Sequence, residues 1–422
     1  MGRYAAHFDS LLRAALLRAD WLGADRARAY VRILGAISLI VALVYVGLSH
    51  GVLDPLGKAL GTDFASFWTA SHIALDGGSP WNVEAHSAAQ VAMFGQGAGY
   101  AAFFYPPPYL LVCLPLALVP YTASLAIWLA ATGFAWVKVV RAWLGREAGW
   151  LPILAFPAVL VNAGHGQNGF LTAALVGGAA MIAQRRPWLS GVLFGCLIVK
   201  PHLALLVPLF MIVTGNWRGF IAAGATAAGI CVISLLVLGT DSWRGFFETS
   251  ALARATLEHD LVGYAKMQSA YAGARLMGAD GTLAWAVQGM AMIAAGAALW
   301  LTRKGSEAAR GAVLACATLA ATPFLLDYDL TLLAVPLAWL FAQGLRGGFR
   351  SGEKLILLAG FVLPMVSRTL GMGLAIPIAP VVILALLAVV ARRALATQAF
   401  RQATGDTVVP APLYSIPSMA RS

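Results

Sequence analysis

The sequence predicts an all-α, polytopic transmembrane protein of about 12 spans, with 11 to 13 compatible with the pattern. Three observations predict it. The mean hydropathy of +0.78 is carried by repeated apolar runs of membrane-spanning length. Only 11% of the 422 residues are charged, and the charges collect between the runs. The runs lack period-2 alternation, and a spanning backbone must satisfy its hydrogen bonds within each segment unless it closes into a barrel, so helices are selected.

Residues 1–30 are basic and amphipathic (Arg3, Arg13, Arg18, Arg26, Arg28) and run directly into a first span at about Val31 to Ser49. This is the pattern of an uncleaved anchor. The basic cluster places the N-terminus in the cytoplasm and the loop 50–104 outside. Pro106, Pro107, Pro108, Pro115 and Pro120 disfavour a regular helix, so Tyr105 to Pro120 is expected as a short broken element on the outer side. The span after it then ends inside at Lys138, Arg141 and Arg146.

Further spans are expected at about 168–184, 188–201, 203–215, 218–238, 282–301, 311–325, 329–344, 354–370 and 377–393. Basic turns mark the inner side: Arg185-Arg186, Arg218, Arg303-Lys304, Arg346 to Lys354 and Arg392-Arg393. The outer side receives Gly166-Gln167-Asn168, Lys200-Pro201-His202, the loop 239–281 and Asp327-Tyr328-Asp329. One membrane domain at 31–400 is followed by a polar, proline-containing cytoplasmic tail at 401–422, expected to be disordered.

The net charge of +11 does not indicate nucleic acid, because the basic residues stand singly at the ends of apolar runs. Cys113, Cys196, Cys231 and Cys316 lie inside apolar segments without paired spacing, as small core residues do. The chain carries no Walker lysine motif, kinase signature, G-x-S-x-G elbow or H-E-x-x-H pair.

The chemistry-bearing residues fall on the expected outer face. Asp63 opens a segment, 63–76, in which Phe64, Phe67, Trp68 and Leu75 have the spacing of an amphipathic interfacial helix. An acid in so apolar a setting is a functional candidate, and the alternative is a helix cap. The glycine-rich stretch Asn162 to Gly169 offers the amides of Gln167 and Asn168 and the imidazole of His165, or else forms a simple turn.

Lys200-Pro201-His202 interrupts an apolar stretch and needs an anion: a phosphate, a lipid headgroup, or an ion pair with Asp63 or Asp327. Asp327 and Asp329 suit a helix cap, a sugar hydroxyl or a weakly signalled divalent ion. In the loop 239–281, Trp243, Arg244, Arg254, His259, Tyr264, Lys266, Gln268 and Tyr271 suit a sugar and its phosphate or a plain interfacial loop. Together this is an inventory for chemistry on a lipid-linked polar substrate.

At this point the motifs resemble glycosyltransferase family 87, membrane enzymes of the GT-C type that include polyprenyl-phosphate-mannose-dependent mannosyltransferases. The carrying residues are Asp63-Phe64 through Ala70 and Leu75, Tyr105-Pro106-Pro107, Gly166-Gln167-Asn168-Gly169-Phe170-Leu171-Thr172, Gly191 to Gly195, Lys200-Pro201-His202 and Tyr328-Asp329. They extend over about 60–340.

The resemblance implies a GT-C-like fold in a bacterial inner membrane, with sugar transfer on the periplasmic side. The sugar, mannose or another hexose or pentose, moves from a polyprenyl-phosphate donor to a lipid or glycan hydroxyl. It implies Asp63 as general base and Lys200 and His202 at the donor phosphate, where Arg244 of the loop 239–281 is also expected. Trp68, Tyr105, His165, Gln167, Asn168, Asp327, Tyr328 and Asp329 are then expected at the substrate, with no cofactor and no metal. Family members often carry a histidine shortly before the Tyr-Asp pair, where this sequence has Asp327. Two other classes compete with this reading: a transporter or lipid flippase built on the Lys200-Pro201-His202 break, and a membrane scaffold in which Asp63 is only a cap.

Overall fold

The computed structural model describes residues 18–145 and 149–404. Arg3, Arg13, Arg146, residues 1–17 of the expected N-terminal segment and residues 405–422 of the expected tail lie outside the described residues.

Among the described residues the elements are helical, and seven helices are long and apolar enough to cross a membrane: Ala24–Gly47, Tyr121–Leu144, Trp217–Glu258, Gly281–Leu301, Asp327–Gly347, Glu353–Leu374 and Ile378–Ala399. The chain is therefore an all-α, multi-pass membrane protein. Four shorter apolar segments, Pro107–Leu118, Gly169–Met181, Pro187–Val199 and Pro201–Val213, stand where further spans or a broken element were expected. Thirteen helical residues reach only about 20 Å, less than a hydrocarbon core of about 30 Å. Prolines at 187, 201 and 208 punctuate these segments.

Helix α1 (Ala24–Gly47) buries none of its residues and presents its apolar side chains outward. The bundle behind it centres on Glu307–Ala321, whose residues from Gly311 to Ala321 are all buried. Its sequence there is rich in alanine with one glycine, which lets neighbouring helices approach closely. A long helix, Tyr121–Leu144, pins the site-bearing segments through a ladder of indoles. Trp128 donates to the Gly166 carbonyl (3.1 Å), Trp136 to that of Thr331 (3.2 Å) and Trp143 to that of Gly177 (3.1 Å).

Gly191 and Gly195 are packing residues. A Cβ at Gly195 would sit 2.6 Å from the Ala223 carbonyl oxygen, and one at Gly191 would collide with the Gly219 carbonyl. Their four-residue spacing lets Pro187–Gly195 lie flush on Trp217–Glu258.

Residues 50–120 build a second core of aromatics at one end of the bundle. Here the structure corrects the expectation of an interfacial amphipathic helix. Helix α2 (Thr62–Leu75) forms where expected, but Ser66, Thr69 and Ser71 are buried along with Phe64, Ala65, Phe67 and Ala70. Aromatic neighbours cover it on several sides: Phe64 packs on Tyr121 (5.6 Å between centroids), and Phe67 on Tyr105 (5.3 Å) and Tyr109 (5.1 Å). A helix enclosed in this way leaves no broad stripe for lipid. The loop 239–281 is likewise largely helical, because Trp217–Glu258 continues past a kink at Gly239 (φ 76°) and Ala270–Leu276 adds a further helix.

Three segments run from the Asp63 end of the molecule to the basic turns. Tyr121 donates to the Leu60 carbonyl (2.6 Å), while Arg141, at the other end of the same helix, bonds the Gly145 carbonyl. Gly169–Met181 begins beside Asn168 and ends near Arg185, which meets Glu307 at 3.4 Å. Asp327–Gly347 runs from Asp327 to Arg346. Charge placement in the sequence and helix direction in the fold thus agree in separating the two ends.

Candidate active site

Asp63 is the second residue of α2, and its carboxylate bonds to a neighbouring segment. The N-cap of α2 is Gly61, which carries no capping side chain, so the cap reading of Asp63 is corrected. The carboxylate accepts a hydrogen bond from Gln167 Nε2 at 3.1 Å and lies 4.0 Å from His165 Nδ1. The side chain is 30% exposed, recessed but open to a reactant. Burial raises its pKa above the usual carboxylate range, opposed by His165 and by the Gln167 hydrogen bond.

The turn after helix α3 (Ala158–His165) holds this partner in place. Gln167 Oε1 accepts from Tyr105 OH (3.0 Å) and from the Asn168 amide (2.8 Å), which leaves its NH2 group facing Asp63. Asn162 Oδ1 accepts the Gly169 amide at 2.9 Å. His165 Nδ1 also meets Thr62 Oγ1 at 3.0 Å. Gln167, Asn162 and Asn168 are buried; the Oδ1 atoms of the two asparagines accept from Gly169 and Lys200, while their Nδ2 groups have no partner among the described residues. The Tyr105 phenol is pushed up by burial and by Asp63, which keeps it a donor.

Behind this shell lies a buried ion pair. Lys200 Nζ stands 2.5 Å from Asp329 Oδ1, 3.3 Å from Asn168 Oδ1, and 4.8 Å from the centre of the Tyr328 ring. The expected ion-pair partners were Asp63 or Asp327; the partner is Asp329. Asp327 instead accepts from the Tyr328 amide (2.9 Å) and from Arg368 (3.3 Å). Arg368 was missed in the sequence, where its only signal is an arginine inside the apolar run 354–370.

Three expected residues make their recorded contacts with groups other than Asp63. Arg244 is 74% exposed and pairs with Asp241 one turn away (3.6 Å). Trp68 donates to the Val119 carbonyl (3.1 Å), and its ring lies tilted against His72 (3.9 Å between centroids). His202 lies beside Phe324, its Nε2 buried without a partner among the described residues. Among the described residues no group of three or more His, Cys, Asp or Glu is placed to hold a metal ion.

A model of glycosyltransferase family 87 matches residues 103–327, just over half of the chain. The chain belongs to glycosyltransferase family 87. No curated protein and no solved structure matches it. This family 87 member is therefore an enzyme, a membrane glycosyltransferase, and the transporter and scaffold readings give way. The matched segment contains Tyr105, the His165-to-Asn168 turn, Lys200 and His202, and ends at Asp327. Asp63, Asp329 and Arg368 lie outside it, and the fold alone brings them to Gln167, Lys200 and Asp327.

Proposed function

We propose that this family 87 glycosyltransferase moves a sugar, mannose or another hexose or pentose, from a polyprenyl-phosphate donor to a lipid or glycan hydroxyl. The observation that carries this reading is the Asp63 carboxylate: recessed, partly open, and aimed by Gln167 and His165. In this scheme the acceptor hydroxyl gives its proton to Asp63 as its oxygen attacks the anomeric carbon. The bond from that carbon to the phosphate oxygen breaks, and its electron pair leaves with the lipid phosphate. One displacement inverts the anomeric centre. The leaving group is already anionic, so it needs positive charge nearby more than a proton. The scheme uses no nucleotide, cofactor or metal.

The placement of Asp63 away from the basic turns supports a periplasmic site in a bacterial inner membrane with cytoplasmic termini. Membranes containing the protein, given polyprenyl phosphates labelled in mannose, arabinose or glucose, should transfer one of these sugars to an extractable acceptor. Asp63→Asn should reduce that transfer about 10²-fold or more while the protein remains folded. Near-normal turnover by a folded Asp63→Asn variant would sink the assignment.

A further inference from the structure

We propose that Arg368 is the cation that binds the phosphate of the lipid-linked donor, with Asp327 as its resting counter-ion. This rests on the donor reading above and names the protein group that meets the donor's charge.

Lys200, His165 and Arg368 are basic groups paired with the acids Asp329, Asp63 and Asp327 respectively. Lys200 is sealed: its side chain is 4% exposed, that of Asp329 is 1% exposed, and the two are in contact. Bringing a phosphate to that ammonium would leave Asp329 as an unpaired buried anion, which is strongly unfavourable. His165 is occupied by Thr62 and by the neighbouring carboxylate of Asp63.

Arg368 differs in its exposure and in its spare N–H donors, although Asp327 is itself buried with a side chain only 6% exposed. Its side chain is 35% exposed, and the 3.3 Å contact to Asp327 is its one hydrogen bond among the described residues. A guanidinium offers five N–H donors in a planar fork that matches two phosphate oxygens. The pair is also longer than the roughly 2.7–2.9 Å of a tight charge-assisted bond. Asp327 also accepts from the Tyr328 amide, and the other N–H groups of the guanidinium can meet a phosphate while the ion pair stays in place.

The position suits the reaction. Arg368 projects from Glu353–Leu374 one turn beyond Pro364, in a helix otherwise apolar enough to span a membrane. An ionised side chain in such a helix marks a functional site by default. Three residues further on, Gly371 packs against Ala265, with 3.2 Å between that residue and the place of a glycine Cβ, so the turn Tyr264–Lys266 closes one flank. Met267 bridges Leu326 and Gln268 bonds the Leu325 carbonyl, joining this flank to Asp327.

The donor phosphodiester carries one negative charge. When the anomeric carbon–oxygen bond breaks, the departing phosphate monoester carries about −1.5 to −2. A free guanidinium therefore gains interaction as the bond breaks, which is the differential binding that raises turnover.

The test uses the full chain in nanodiscs, with an unglycosylated polyprenyl monophosphate as the binding probe. Arg368→Gln should weaken that binding about tenfold or more, and Arg368→Lys should fall between it and the unmodified protein. Asp327→Asn, which frees the guanidinium, should tighten binding. A merely structural pair would instead weaken with either change. Unchanged binding by Arg368→Gln, or weakened binding by Asp327→Asn at an unaltered melting temperature, would overturn the proposal. If Arg368→Gln does not fold, the opposite signs expected of Arg368→Lys and Asp327→Asn decide alone. If the unmodified protein neither binds the probe nor uses a lipid-phosphate sugar, the donor reading itself fails, and that outcome is visible before any variant is made.

Discussion

Lys200 and Asp329 meet at 2.5 Å in the interior of the protein although 129 residues separate them in sequence. The pair joins the Lys-Pro-His break to the segment bearing Tyr328 and lies one layer behind Gln167 and Asp63. A cation found by sequence at a helix break is thereby part of the frame. Removal of one partner leaves the other as an uncompensated buried charge. Lys200→Ala or Asp329→Ala should each cost about 3–5 kcal/mol of stability, whereas Lys200→Met with Asp329→Leu should recover much of it. Thermal unfolding of the purified variants checks the non-additivity; equal, additive losses would contradict it.

Gln167 holds Asp63 without presenting a free group of its own. Gln167→Leu should lower kcat roughly tenfold or more and leave acceptor KM nearly unchanged. If Asp63 is the base proposed above, it works only when deprotonated, and activity should fall as pH drops through its pKa, which burial already raises. Loss of the Gln167 hydrogen bond removes one of the contacts holding that pKa down, so the acid limb of the pH–rate profile should move to higher pH. An unmoved limb with a raised KM would instead make Gln167 a substrate ligand.

His86 clips the outer aromatic core together. Its Nε2 donates to the Ser66 carbonyl (3.2 Å), its Nδ1 faces Tyr100 OH (3.3 Å), and burial lowers its pKa from 6.5 to about 4. The unfolded chain takes up this proton first as pH falls. Stability should therefore be full above about 6.5 and decline towards about 4, by roughly 3 kcal/mol. His86→Asn should show a flatter pH dependence of its melting temperature over this interval.

Gly195 tests the packing of the two glycines on Trp217–Glu258. A Cβ there would fall 2.6 Å from both the Ala223 carbonyl oxygen and Thr226 Cβ, so Gly195→Ala should cost about 1–3 kcal/mol. Gly224 has nothing within 4 Å of such a Cβ, and Gly224→Ala should be neutral or gain up to about 1 kcal/mol. Melting temperatures of the two variants, measured side by side, separate helix packing from a general effect of added bulk.

Much of the fold was legible locally. Apolar runs and basic turns located many of the helices, although Trp217–Glu258 and Ile378–Thr404 run well past the expected ends at 238 and 393, and the prolines of 105–120 marked the short element before Tyr121–Leu144. The family was legible too, in Gly166-Gln167-Asn168 and Lys200-Pro201-His202, because a motif is contiguous. Burial was less so. Helix α2 reads as amphipathic, yet nothing within 62–75 announces that Tyr105, Tyr109 and Tyr121 will cover it.

The sequence by itself determined a multi-pass helical membrane glycosyltransferase, where most of its helices begin, and Asp63 as the acid to look at. Each follows from short-range chemistry: hydropathy, turn residues and contiguous motifs. Only the tertiary structure decided which charges remain available. It neutralised Lys200 with Asp329, set Gln167 against Asp63, left Arg244 outside, and brought Arg368 to Asp327. An ion pair forms wherever the fold brings two opposite charges within reach, and no local pattern records that distance.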